Sequence, residues 1–384
     1  MVYKVIGLMS GSSLDGLDIA YVHLQESAST IKNGSRKWEY TILHADCYPY
    51  TEEWREKLAT ARDLRAGEYL LLHVRFGHYL GEQVLRFIDA HNLHYQVQLI
   101  SSHGHTTFHS PERKMTAQLG DGAALAAAAK INVVSDLRAM DVALGGQGAP
   151  IVPVGERMLL GDYSFFLNLG GIANISGASV AFDVCPANRV LNGLAALVGK
   201  EYDENGSLAA RGQVDDGLLR QLNELPYYSQ PYPKSLANEF GTETVLPMVR
   251  LAMEGVGQPA EGRGLAAGGG ISVDDALRTY VEHIGVQICR AVEGLRGGVS
   301  GAAKMLVTGG GAHNKFLIDR LGELLAPLGV EVVVPDPQLV NYKEALVMAL
   351  IGVLRWREEN NVFASVTGAS RDSIGGAVWI GQEA

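Results

Sequence analysis

The sequence predicts an α/β protein built as two lobes, and three observations carry this. The chain has 384 residues, more than one ordinary hydrophobic core encloses, and 47% of them are apolar against 19% charged, enough for two sets of buried layers. A strand, glycine turn, strand pattern opens the chain and restarts near its middle as a degenerate internal repeat. Strand-like runs alternate with helical periodicity throughout, and no low-complexity linker divides them.

Val2 to Met9 reads as a β-rich run. After a turn, Leu17, Ile19 and Tyr21 alternate with Asp18, Ala20 and Val22, and Trp38, Tyr40 and Ile42 alternate again, which gives three strands. Thr51 is placed as an N-cap, with Glu52 and Glu53 in the first turn of a helix, and a longer helical stretch covers Glu68 to Ala90. The apolar run "VQLIS" predicts a strand ending at "SHGHTTFH"; helix "GDGAALAAAAK" and strand "INVVSDLR" follow. "SFFLNLGGIANISGASVAFD" then predicts three strands joined by glycine turns and ending at Asp183, with a helix from Asn188. A long helix spans Val273 to Leu295, "KMLVTGGGAHNKFLIDRL" reads as strand, glycine turn and helix, and "KEALVMALIGVLRWREE" is a late helix. The closing "TGASRDSIGG" is expected to return to the first lobe. The lobes are placed at 1–134 plus 361–384, and at 135–360.

Composition narrows the partners. The formal charge of −10 and the lack of a Lys/Arg stripe argue against nucleic acid, so an anionic ligand has to be held by backbone dipoles and a metal ion. The three cysteines, Cys47, Cys185 and Cys289, are odd in number and far apart, which fits a reducing compartment. No apolar run reaches the length of a membrane span and no signal-peptide zoning opens the chain, so the expected location is cytoplasmic, without a membrane partner.

Phosphate oxygens are best approached by backbone N–H groups free of Cβ atoms. Three glycine-rich turns follow strands: Gly7 to Gly16, Gly170 to Gly171 and Gly309 to Gly311. Each alone is plain turn chemistry; three with hydroxyl or amide neighbours point to a nucleotide. No Walker P-loop is present, since Glu201 follows Gly199 and Lys200 where Ser or Thr is required. Asp15 and Asp18 lie beside the first turn, and Asp15, nearer to it, is expected to reach a Mg²⁺ ion through water. Asp183 reads equally as a functional carboxylate and as a cap for the helix from Asn188.

Several segments match one family. "GLMSGSSLDGLD", "SHGHT", "QLGDG", "GGQGAPIVP", "LNLGGIANIS", "FDVCPAN", "PKS" with Glu239 and Phe240, "TGGGAHN" and "KEA" resemble, in order and over nearly the whole chain, segments of the 1,6-anhydro-N-acetylmuramic acid kinases. The resemblance implies a two-lobed actin-like ATPase fold, each lobe a ribonuclease H-like mixed sheet flanked by helices, with the active site in the interlobe cleft. It implies hydrolysis of the 1,6-anhydro bridge coupled to phosphorylation of O6 by ATP with Mg²⁺, a homodimer, and a role in cell-wall recycling.

By that resemblance Asp183 is the catalytic base and Glu344 a second carboxylate holding the water. Gly11, Ser12, Ser13, Leu14, Asp15, Gly16, Gly170, Gly171, Gly309, Gly310, Gly311 and Asn314 bind ATP. His103, His105, Thr106, Asp136 and Arg138 bind the sugar, Arg138 being suited to grip a lactyl carboxylate with two parallel hydrogen bonds. Lys234 reads as a solvated loop lysine. Four positions depart from the family pattern: His105 for Gln, Ser12 for Thr, Cys185 for Gly and Asn192 for Asp. Alternatives are a kinase of another anhydrosugar such as levoglucosan, a metal-dependent hydrolase using His103, His105 and His109, and a nucleotide switch or filament former.

Overall fold

A computed structural model describes the chain except residues 12, 28–37, 178–179, 233, 238, 256–269, 297–300 and 383–384. It divides into two compact units, Met1–Gly161 with Tyr342–Ala384, and Asp162–Asn341. Unit 1 opens with β1 (Val2–Ser10), β2 (Gly16–Glu26), β3 (Trp38–Pro49), α1 (Glu52–Ala59) and α2 (Ala66–Ala90). It continues with β4 (Leu99–Ser110), β5 (Met115–Leu119), α3 (Gly122–Ala129), β6 (Val133–Ser135), α4 (Ala139–Ala143) and α5 (Pro153–Leu159). Unit 2 holds β7 (Phe165–Leu169), β8 (Ile172–Ser176), β9 (Ala181–Pro186), α6 (Asn188–Ala195), α7 (Asp216–Asn223) and α8 (Leu246–Met253). After these come α9 (Val273–Leu295), β10 (Ala303–Thr308), α10 (Lys315–Leu325) and β11 (Val330–Val333). The chain returns to unit 1 along α11 (Pro337–Trp356) and closes with α12 (Ala364–Thr367) and β12 (Ala377–Trp379).

The two sheets share one plan. In unit 1 the order is β12-β6-β4-β1-β2-β3, with β5 paired to β4; in unit 2 it is β11-β10-β7-β8-β9. The first three strands of each form an antiparallel meander, and the first of them also pairs in parallel with a later strand. The β7–β8 hairpin closes through the Gly170–Gly171 turn, whereas parallel strands require a crossover, supplied by α2 between β3 and β4 and by α9 and α10 around β10. This is the expected ribonuclease H-like mixture, twice. Ile6, Leu8, Ile19, Phe76, Leu80 and Val84 centre the core of unit 1, and Leu167, Ile175, Tyr280, Ile284, Leu317 and Leu321 that of unit 2.

Local signals explain the element boundaries. Thr51 Oγ1 accepts from Trp54 N at 3.3 Å and caps α1, and Ser272 with Asp275 forms a capping box that starts α9 at the expected residue. Two strands run further than the sequence implied. β4 continues through "SHGHTTFH" because β5 pairs with its second half, His105 opposite Leu119 and Ser110 opposite Met115. β9 passes Asp183 to Pro186, since Cys185 and Pro186 pair with Ala173 and Ile172.

The unit boundaries also differ from those expected, because 135–161 and 342–360 pack within unit 1. Gln147 N donates to Thr367 O at 2.9 Å, and Lys343 Nζ lies 2.9 Å from Glu156 Oε1 with both side chains 6% exposed. α11 breaks at Tyr342 (φ −119°, ψ 15°), so Lys343 and Glu344 begin a fresh turn there. That turn sits directly on β1: a Cβ on Gly7 would lie 1.9 Å from Ala345 O, a separation only glycine permits. Among the described residues no helix is long and apolar enough to cross a membrane.

Candidate active site

In unit 1 the turn after β1 folds onto a carboxylate. Ser13 Oγ donates to Asp15 Oδ1 at 2.6 Å and Gly16 N to the same oxygen at 3.0 Å, while Tyr50 N donates to Asp15 O at 3.2 Å. Leu14 takes the left-handed conformation (φ 58°), and its N–H reaches Gly11 O at 3.5 Å. Ser12 lies outside the described residues. Asp18, on β2, stands in register with Met9 and Cys47. Burial pushes its carboxyl up to about 6; a hydrogen bond from Cys47 opposes this, and the charges of Asp15 and Glu344 add to it. Glu344 is half-buried beyond the break in α11. Burial raises its carboxyl and Glu156 adds to the rise, while Lys343 and Arg138 pull it down.

The expected sugar-binding residues gather around β4, with differing commitments. His103 is buried, and both of its ring nitrogens are used within the protein. Nδ1–H donates to Gly104 O at 2.8 Å, so Nε2 is the bare nitrogen and accepts from Arg138 Nε at 2.8 Å. Both ring nitrogens are thus committed within the protein, where a sugar contact was expected. Arg138 also donates through Nη1 to Gly148 O. It is therefore no surface ion pair, and burial pulls its guanidinium down to about 10. His105 Nδ1 lies 3.2 Å from Ser10 Oγ, which accepts from Tyr50 OH at 2.7 Å. Burial holds His105 down to about 4. Thr106 Oγ1 accepts from Gln118 Nε2 at 3.5 Å, and Asp136 sits at φ 54°, its Oδ2 accepting from Ser135 Oγ at 2.9 Å.

The hydrolase alternative fails on the same geometry. His109 is exposed and turns to Thr116 Oγ1 at 3.1 Å, His103 holds Arg138, and His105 holds Ser10. Among the described residues no group of three or more His, Cys, Asp or Glu side chains is arranged to hold a metal ion.

In unit 2 the two glycine turns pack on each other. Gly309 takes φ 82°, and a Cβ there would lie 2.4 Å from Asn168 Oδ1 and 3.0 Å from Leu169 O. Gly311 would bring one to 2.7 Å from Leu169 Cβ, whereas Gly310 is exposed. Gly170 O accepts from Asn188 N at 3.1 Å and Gly171 O from Ala187 N at 2.8 Å, which ties the hairpin to the start of α6. Asn314 Oδ1 caps α10 by accepting from Leu317 N at 3.1 Å. Thr308 Oγ1, ending β10, is buried with no hydrogen-bond partner among the described residues.

Asp183 lies beside this hairpin on β9 and does not cap α6, whose N-cap is Ala187. Its Oδ1 accepts from Asn174 Nδ2 at 3.0 Å and its Oδ2 from Leu236 N at 2.9 Å, while Tyr227 OH donates to its carbonyl at 2.5 Å. Lys234 is not simply solvated: Nζ donates to Tyr227 O at 3.1 Å and lies 4.5 Å from the Tyr227 ring centroid. Cys185 is fully buried and Asn192 exposed. Neither Asn174 nor Tyr227 was expected to hold Asp183; Asn174 had a signal, as the polar residue of β8 opposite Asp183.

Two mixed sheets of this order in one chain define the actin-like ATPase and sugar-kinase fold. The profile of the anhydro-N-acetylmuramic acid kinase family matches residues 3–381, and the chain belongs to that family. It is 32% identical to the anhydro-N-acetylmuramic acid kinase of Aliivibrio fischeri, over 98% of this chain and 99% of that one. It is also 32% identical to that of Haemophilus influenzae, over 97% of each. Among solved structures it is similar to the activator of the 2-hydroxyisocaproyl-CoA dehydratase from Clostridium difficile with bound ADPNP, at TM-score 0.45 and 14% identity, covering 93% of this chain and 96% of that one.

Proposed function

We propose that this protein is an ATP-dependent kinase that opens the 1,6-anhydro bridge of 1,6-anhydro-N-acetylmuramic acid and phosphorylates O6, giving N-acetylmuramic acid 6-phosphate and ADP. Water forms the new bond to the anomeric carbon as the bond from that carbon to O6 breaks. O6 bonds to the γ-phosphorus as the bond to the departing ADP oxygen breaks. Asp183 accepts the proton of the water, on the face opposite O6, as the base of an inverting glycosidase does. O6 needs no proton, because it leaves onto phosphorus. Asn174 Nδ2 and Leu236 N hold the Asp183 carboxylate from both oxygens, and this is the observation that carries the reading. Glu344 acts as a second group holding the water.

The turns at Gly11–Gly16, Gly170–Gly171 and Gly309–Gly311 supply backbone N–H groups for ATP, and the unpartnered Thr308 hydroxyl supports that use. Asp15 Oδ2 and Asp18 suit Mg²⁺: two carboxylates that feel each other's charge, with no basic partner among the described residues, too few for a protein cage and appropriate to an ion shared with phosphates. Bound there, the ion would neutralise phosphate charge. Arg138 is read as gripping the lactyl carboxylate. The family reading carries with it a cytoplasmic homodimer serving cell-wall recycling.

ADP release with each anhydrosugar tests the proposal. Turnover of 1,6-anhydro-N-acetylmuramic acid is expected; turnover of levoglucosan in its place, or ATP hydrolysis indifferent to both, would overturn it.

A further inference from the structure

Arg138 is held in an unusual way for a cation. Its two protein acceptors, His103 Nε2 and Gly148 O, are both neutral, and among the described residues no carboxylate forms an ion pair with it. Two carboxylates lie in its field, Asp141 and Glu344. Asp141 spends Oδ2 on Gly148 N at 2.6 Å and Oδ1 on Thr367 Oγ1 at 2.6 Å. The Glu344 carboxyl is itself raised by burial. Three of the five guanidinium N–H groups, on Nη1 and Nη2, remain beyond those given to His103 and Gly148. A guanidinium hydrogen-bonded to neutral acceptors alone, with three N–H groups to spare, is suited to an incoming anion, and the Nη1–Nη2 end matches a carboxylate.

We infer that His103 is a positioning residue for Arg138, and that the frame His103, Gly148, Asp141 and Thr367 aims the guanidinium and so sets selectivity for an anhydrosugar bearing a carboxylate. The inference rests on the reading of Arg138 given above. The frame has two arms. On one, the bond from His103 Nδ1–H to Gly104 O fixes the tautomer and keeps Nε2 an acceptor. On the other, α12 ties to Asp141, Asp141 to Gly148 N, and Gly148 O to Arg138. Burial, and then the charge of Arg138, push the His103 imidazole down to about 3, which favours the neutral ring whose Nε2 accepts from Arg138.

The test compares kcat/KM for 1,6-anhydro-N-acetylmuramic acid with that for the same anhydrosugar lacking the lactyl group. His103→Leu is expected to lower the ratio of the two roughly tenfold, mainly through KM of the acidic substrate, the size of one hydrogen bond to a charged group. His103→Gln, whose Oε1 takes the place of Nε2, restores most of it. A merely structural role would depress both substrates together and leave the ratio where it was; that result, or a His103→Gln variant as poor as His103→Leu, overturns the inference. Thr367→Val cuts the other arm without touching His103 and is expected to lower the ratio about threefold, so the inference stays open to refutation if His103→Leu does not fold. Arg138→Leu separates the levels: a ratio unchanged by it sinks the lactyl reading itself, and a wild-type enzyme inactive on both sugars sinks the kinase reading.

Discussion

Asn174 and Asp183 face each other across β8 and β9, the amide donating to Oδ1 at 3.0 Å while the backbone of Leu236 donates to Oδ2 at 2.9 Å. An aspartate inside β9 held this way is aimed, and its helix-capping role is absent. Asp183→Asn is expected to lower kcat by roughly 10²- to 10⁴-fold, the range for loss of a general base. Asn174→Ala removes one donor and should cost about tenfold. Steady-state ADP release checks both; an Asp183→Asn enzyme within tenfold of wild type would contradict the assignment.

Gly309 separates ligand binding from folding. Its φ of 82° and the 2.4 Å approach of an added Cβ to Asn168 Oδ1 make Gly309→Ala strained on two counts. Gly145→Ala, at φ 85° with nothing within 4 Å, meets only the backbone penalty, on the order of 1 kcal/mol. Calorimetric titration with a non-hydrolysable ATP analogue should therefore show weakened binding for Gly309→Ala and little change for Gly145→Ala.

The Lys343–Glu156 pair is buried at both ends, so removing one partner takes compensation from the other's buried charge. Lys343→Met should destabilise the protein by about 3–5 kcal/mol, and adding Glu156→Gln should recover much of that. Urea unfolding of the two single variants and the double variant measures it. Equal losses that simply add would mean that the pair is not coupled.

Two groups shifted by burial push stability in opposite directions across the same acidic range. Asp18, pushed up to about 6, contributes stability present below the ordinary carboxylate pKa and lost as pH rises through 6. Asp18→Asn should flatten that limb and gain on the order of 2 kcal/mol at neutral pH without Mg²⁺. His283, fully buried between Asn223 and Tyr228, is pushed down to about 3 by burial. Its contribution is present above the ordinary histidine pKa and lost as pH falls toward 3. His283→Gln should flatten the acid limb between pH 6.5 and 4. Urea midpoints across this range decide, and a variant that parallels wild type refutes its share.

Both sheets were legible because their meanders alternate in period two and their turns are marked by glycine. The helix start at Thr51 was legible through capping chemistry that needs only near neighbours, and α9 starts at the expected Val273, where Ser272 caps it. What the sequence could not show depends on distant partners. β4 runs on through His105 because β5 lies beside it, and nothing local announces that pairing. That His103 Nε2 is taken up by Arg138 turns on a bond spanning 35 residues. The unit boundary moved for the same reason, since Lys343 meets Glu156 across 187 residues.

The most direct test of the central claim is mass spectrometry of the product formed in ¹⁸O-labelled water. Attack on carbon assisted by Asp183 predicts one heavy oxygen, at the anomeric hydroxyl, and an unlabelled phosphate on O6. Label in the phosphate, with the anhydro bridge intact, would contradict it.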